Sequence, residues 1–245
     1  MKLTKIAGTV LFSSILLTGG TTSFAAVAGN MNSQTDVTFI EDNESVPPVN
    51  PTDPTDPVEP VDPTDPTDPH EPGTPGPLSI DYVSNFHFGE QKLTGGDKTY
   101  YAKLDKVKKV PSGEIIDVPN YVQVTDNRGT NAGWKLKVKQ NGQFKTNTNV
   151  ELENAQLKLS NPVVNSLTNM TYAPSAFNVT LDPSGIEHDV TTAAADKGMG
   201  TWTTAYGGDN LQGAESVSLF VPGSSKKEKE KYSTTLTWIL EDTPS

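Results

Sequence analysis

Cysteine is absent from the 245 residues, and histidine and tryptophan occur only three times each. The first absence excludes a disulfide staple, a thiol nucleophile and thiolate metal sites, so the fold must rest on its hydrophobic core. His70, His87 and His188 stand alone, none with a second histidine at metal-ligand spacing. Gly-x-Ser-x-Gly, a Walker loop and His-Glu-x-x-His are all missing. Carboxylate pairs such as Glu151 with Glu153, or Asp182 with Glu187, have the chemistry to act as acid and base on a glycan. Beyond residue 77, however, there are nineteen acidic residues, enough to supply such pairs by chance. The expectation is a binding or structural protein, with no catalytic residue, cofactor or metal.

Positive charge is also scarce. The net charge is -11, and from Gly29 to Pro77 there are eleven acidic residues and no Lys or Arg, whereas Leu78 to Ser245 is nearly balanced. Phosphate neutralisation needs a concentrated basic patch, so nucleic acid is excluded as a partner. The one basic cluster, Lys226 to Lys231, is interrupted by Glu228 and Glu230 and reads as a solvated loop.

Long apolar runs are missing beyond the first residues. Met1 to Ala28 has a basic start, the apolar stretch Ile6 to Leu17, and small residues offering cleavage after Ala25 or Ala28. That is the layout of a secretory signal peptide, too short in its apolar part to span a bilayer. The mature chain is therefore expected to be exported with no membrane span. The end, Glu241 to Ser245, has no sorting motif or hydrophobic tail, which points to non-covalent retention at the surface.

Residues 29–77 read as an acidic Pro-rich spacer. Proline recurs every third position from Pro48 to Pro75, with an acidic residue before most of them. Polyproline II has three residues per turn, so this period places the prolines on one edge and the acids on another. A short strand at 36–40, Asp36-Val37-Thr38-Phe39-Ile40, precedes the repeat. Pairing of that strand with the domain would make the spacer a loop tied at both ends; otherwise it is an arm.

Residues 78–245 carry the pattern of one all-β domain. Trp134, Leu136 and Val138 alternate with Lys135, Lys137 and Lys139, after a turn-rich Asp126 to Asn131 that follows Tyr121-Val122-Gln123-Val124. The pattern predicts a hairpin with one dry and one wet face. Alternation returns in 155–159, 177–181, 217–221 and 232–240, and Val190 to Lys197 could form a short helical turn. Many short strands with turn signals predict a β-sandwich, Ig-like or related.

Two strands each hold a Trp and a Leu two positions apart: Trp134 with Leu136, and Trp238 with Leu240. Residues so spaced share one face of a strand. Their phase with apolar neighbours favours the core, the alternative being rings that stack on sugars at the surface. Trp202, between Thr201 and Thr203, has fewer apolar neighbours and is the candidate exposed aromatic.

These motifs, with their flanks, resemble the WxL domain of Gram-positive surface proteins. The matching stretches are Leu78 to Gly89, Val124 to Gly129 leading to Gly133-Trp134-Lys135-Leu136, and Ser218 to Gly223 leading to Leu236-Thr237-Trp238-Ile239-Leu240. The resemblance implies a secreted protein held non-covalently on the cell wall, with peptidoglycan or another wall polymer as ligand and companion surface proteins as partners. The lysines at 135, 137, 139 and 226–231 depart from the family pattern and offer charge to anionic wall polymers.

Overall fold

The computed structural model describes residues 29–61 and 69–242. The expected signal peptide, 1–28, lies outside the described residues, as does the stretch 62–68 of the proline repeat. The strands in chain order are Val49–Asn50 (β1), Asp53–Val61 (β2), Leu78–Val83 (β3), Lys98–Tyr101 (β4), Asp105–Lys109 (β5), Ile115–Val118 (β6), Tyr121–Asp126 (β7) and Trp134–Gln140 (β8). They continue as Gln156–Leu159 (β9), Pro162–Asn165 (β10), Ser175–Ala176 (β11), Val179–Thr180 (β12), His188–Ala193 (β13), Gly200–Tyr206 (β14), Val217–Val221 (β15) and Leu236–Glu241 (β16). Among the described residues, helix is confined to single turns at Met170–Tyr172 and Asn210–Gly213. No helix among the described residues is long and apolar enough to cross a membrane.

The strands form four antiparallel sheets, ordered β1-β2-β5-β6, β10-β14-β7-β3, β11-β13-β8-β16 and β12-β9-β15-β4. The expected all-β sandwich is thus found, with an additional layer. The main core gathers Val122 and Val124 of β7, Trp202 and Tyr206 of β14, Trp134, Leu136 and Val138 of β8, and Leu157, Leu159, Val217 and Leu219 of β9 and β15. A second, smaller core lies on the other face of β7 and β14, where Tyr121 and Ala205 meet Val58, Val107 and Val118. All six residues of β7 are consequently buried.

This second core corrects the reading of residues 29–77 as a spacer. Asp53–Val61 forms a strand between β1 and β5, with Val58 only 2 % exposed. Its acids find cations on β5: Glu59 pairs with Lys108 at 2.6 Å, and Asp56 with Lys109 at 2.7 Å. Gln123 of β7, wholly buried, accepts from the Val49 amide at 2.8 Å and donates to Pro47 O at 3.2 Å. Tertiary pairing therefore overrides the polyproline period over this part of the repeat. Asp36 to Ile40, by contrast, is exposed and forms no strand.

Two further expectations fail. The segments at 121–126 and 134–140 are not a hairpin: β7 pairs with β3 and β14, whereas β8 pairs with β13 and β16. The turn from Asp126 to Gly133 instead carries the chain between sheets on opposite sides of the main core. The start of the expected helical turn, Val190 to Ala193, is strand β13, in which Val190, Thr191 and Ala193 are buried.

Candidate functional site

Strand β8 alternates buried and partly buried residues along its whole length, and the inward set is Trp134, Leu136, Val138 and Gln140. The strand is preceded by Gly133, whose φ is +83°, and a Cβ there would lie 2.3 Å from the Ala193 carbonyl oxygen. Only glycine lets β8 start this close to the end of β13. The Trp134 indole, 1 % exposed, donates from Nε1 to Gly198 O at 2.9 Å. Gly198, φ +72°, presses its backbone on the ring so closely that a Cβ would fall 2.5 Å from Nε1.

The second motif lies beside the first. Strand β16 is antiparallel to β8 at the sheet edge, with Trp238 opposite Val138 and Leu240 opposite Leu136. Cross-strand partners share a sheet face, so Trp238 and Leu240 point inward, and both pack partly buried against the main core. Arg128 fastens this arrangement from the crossover. Its guanidinium makes a bidentate pair with Asp126, at 2.9 and 2.8 Å, and donates to Gly133 O at 2.8 Å. Nη1 also reaches Asp242 O, just past β16, at 3.5 Å.

Trp134, Leu136, Trp238 and Leu240 are therefore brought together as one structural unit. Trp202 is not the exposed aromatic expected. It is 1 % exposed and donates from Nε1 to Met199 O at 2.9 Å. Its strand, β14, is central in its sheet and covered on both faces, so the neighbouring threonines are buried as well. Thr204 Oγ1 meets Thr191 Oγ1 at 2.8 Å, and Thr203 donates to Asn165 O at 3.3 Å. Sequence reading missed Gly198 and Arg128; the signals were a glycine-rich Gly198-Met199-Gly200 and an arginine two residues after Asp126.

Several of the lysines expected to meet anionic polymers have partners within the chain. On the outer face of β8, Lys135 lies 3.4 Å from Asp189, and Lys137 lies 2.7 Å from Glu241 and 3.5 Å from Glu187. The hydrogen bond that Lys137 donates to Glu241 raises the lysine's pKa. Lys226 pairs with Glu228 at 2.7 Å, and Lys227 donates to the carbonyl oxygens of Pro222 and Ser225 at 2.8 and 3.1 Å. This loop uses its cations to hold itself together.

Buried carboxylates are similarly committed. Asp81 accepts from Ser79 Oγ at 2.5 Å, Thr125 Oγ1 at 2.6 Å and Gln123 Nε2 at 2.9 Å. Burial raises its pKa, and these hydrogen bonds oppose the rise. Asp105 accepts from Tyr82 OH at 2.6 Å and Ser84 Oγ at 2.5 Å. Asp81 and Tyr82 line a cavity of about 490 Å³ walled by Pro47, Pro48, Pro60 and Pro72. Glu151 and Glu153 are exposed. Asp182 has its pKa lowered by hydrogen bonds from Ser184, which works against a proton-donor role.

A family model described as WxL domain surface cell wall-binding matches residues 26–244. No curated protein and no solved structure matches the chain. The match covers both Trp-x-Leu strands, the crossover from Asp126 to Gly133 and the strand contributed by the proline repeat. With its two motifs paired in one sheet and its match spanning nearly the full length, the chain belongs to the WxL family of cell-wall-binding surface domains.

Proposed function

We propose that this chain is exported from a Gram-positive cell by the leader at 1–28 and held non-covalently on the wall, with peptidoglycan as the polymer bound. The observation that carries this reading is the family match over 26–244. The module is non-catalytic: its buried carboxylates are spent on internal hydrogen bonds that stabilise the sheets. In this reading the Trp-x-Leu motifs build the scaffold, and the wall is met by side chains on its outer surface. The test is sedimentation with purified sacculi at low and moderate salt. The protein is expected in the pellet; recovery only in the supernatant at both salts defeats the proposal.

A second role, docking of companion surface proteins, is favoured by one feature. β16 ends its sheet with an edge that no strand covers among the described residues. Such edges accept an added strand. A companion bound there should co-purify from wall extracts, indifferent to added glycan, and be lost when the domain is deleted.

A further inference from the structure

Within the reading of the chain as a wall-binding domain, we infer that the outer face of the β12-β9-β15-β4 sheet is where the glycan chain lies. Three of its strands present six side chains to solvent: Thr99 and Tyr101 from β4, Ser218 and Phe220 from β15, and Gln156 and Lys158 from β9. Phe220 is the anomaly that draws attention to the face. Val217, Leu219 and Val221 on the same strand are buried, whereas Phe220 is turned outward and 38 % exposed. Tyr101 is 46 % exposed, directly opposite Ser218. Because Phe220 is opposite Thr99, the two rings are diagonal neighbours on one face, a separation of roughly 7 Å at the backbone.

The chemistry around the rings is that of a sugar platform. Thr99, Ser218, Gln156 and the Tyr101 hydroxyl offer donors and acceptors, and none makes a side-chain hydrogen bond among the described residues. None of the six is acidic in a chain of net charge -11, and the single ion, Lys158, forms no ion pair among the described residues. On the outer face of β8, by contrast, Lys135 and Lys137 are neutralised by Asp189, Glu187 and Glu241. A carboxylate-bearing polysaccharide therefore meets no repulsion here and finds one unpaired cation. Aromatic rings side by side stack on the C–H faces of successive pyranoses, while the flanking hydroxyls and amide take the sugar hydroxyls. Leu157, Leu219 and Tyr100 on the opposite face pack into the main core and hold the platform flat.

The experiment is sedimentation of the full mature chain with acid-extracted peptidoglycan sacculi. Variants are Tyr101→Ala, Phe220→Ala, the double variant, Tyr101→Trp and Lys158→Glu, each with its thermal unfolding recorded. The double variant is expected to bind at least ~10-fold more weakly, since a few central aromatics carry most of an interface's affinity. Its melting should be close to that of the parent, because both rings are substantially exposed. Tyr101→Trp should bind as the parent does, and Lys158→Glu several-fold more weakly. Parent and double variant pelleting alike would place the glycan elsewhere and leave the wall-binding reading intact. A parent that stays in the supernatant would overturn both. Should the double variant unfold, Lys158→Glu decides alone, equal binding counting against the platform.

Discussion

Leu136 and Leu240 are direct cross-strand partners, so the two Trp-x-Leu motifs meet leucine to leucine across antiparallel β8 and β16. The motifs are unequal, however. Trp134 is at the inner end of its strand beside Ala193 of β13, whereas Trp238 is on the edge strand beside Val138. Leu136→Ala should cost about 2–5 kcal/mol, as for other fully buried leucines. A double-mutant cycle with Leu240→Ala should return a coupling of about 0.5–1 kcal/mol by urea denaturation. Strict additivity would mean that the facing side chains do not support one another.

The three tryptophans should rank by burial. Trp134→Ala and Trp202→Ala are each expected to lower stability by about 3–5 kcal/mol, and Trp238→Ala by about 1–2 kcal/mol. Trp134→Phe keeps most of the apolar bulk but leaves Gly198 O without its donor, for a loss of about 1–3 kcal/mol. Equilibrium unfolding followed by far-UV circular dichroism gives the order. A Trp238 variant as unstable as the other two would contradict an edge position.

Gly198→Ala tests the contact from the backbone side. The new Cβ would meet the Ala193 Cβ at 2.4 Å and the Trp134 Nε1 at 2.5 Å, at a φ of +72° that disfavours any side chain. Overpacking and backbone strain together should cost about 2–4 kcal/mol. The fluorescence of Trp134 should shift to the red as its ring is pushed outward. Gly142→Ala, also at positive φ but with open space around it, is the control for strain alone.

A chain beginning at Leu78 should be less stable than one beginning at Gly29. It would lose Val58 from the smaller core, the ion pairs of Asp56 and Glu59, and both bonds between Gln123 and the segment at 47–49. The Gln123 amide would be left with fewer partners in a buried site, and the expected loss is about 2–5 kcal/mol. Equal melting temperatures for the two chains would return residues 49–61 to the role of a spacer.

Asp81 supplies a pH dependence. Burial raises its folded pKa above the ordinary value, so the folded chain holds this proton more tightly than the unfolded one. Its contribution to stability is then fully present below the ordinary carboxylate pKa and is lost as pH rises through the raised one. Asp81→Asn removes that slope. The stability of the parent relative to Asp81→Asn should be greater at about pH 4 than at about pH 7. A difference that grows toward pH 7 would reverse the sign.

Much of this architecture is legible in the chain because local pattern and tertiary burial agree. Trp134 to Gln140 reads as a half-buried strand, with its lysines outside as expected, and the family likeness follows from that stretch and its partner near Trp238. Agreement breaks down where a strand is covered on both faces. Gln123, Thr125, Thr203 and Thr204 are buried polar residues whose hydrogen bonds are made to distant strands. Their polarity hid the depth of Trp202 and the true partners of β7. Asp53 to Val61 failed for a different reason: its proline period is local, while the lysines that pair with its acids are some fifty residues away.

Within the proline repeat, Val58 replaces the threonine found in the Thr-Asp-Pro units before it, and its side chain fills the smaller core. Val61 makes the same replacement one unit later, so the apolar departures from the Thr-Asp-Pro series fall within the strand fastened to the domain. Removing units ahead of Val58 would take away the pairing of β1 with β2 and the ion pair of Asp56 with Lys109. Units inserted beyond Val61 would leave the pairing of β2 with β5 in place. The connection can thus vary in length where the strand before it cannot.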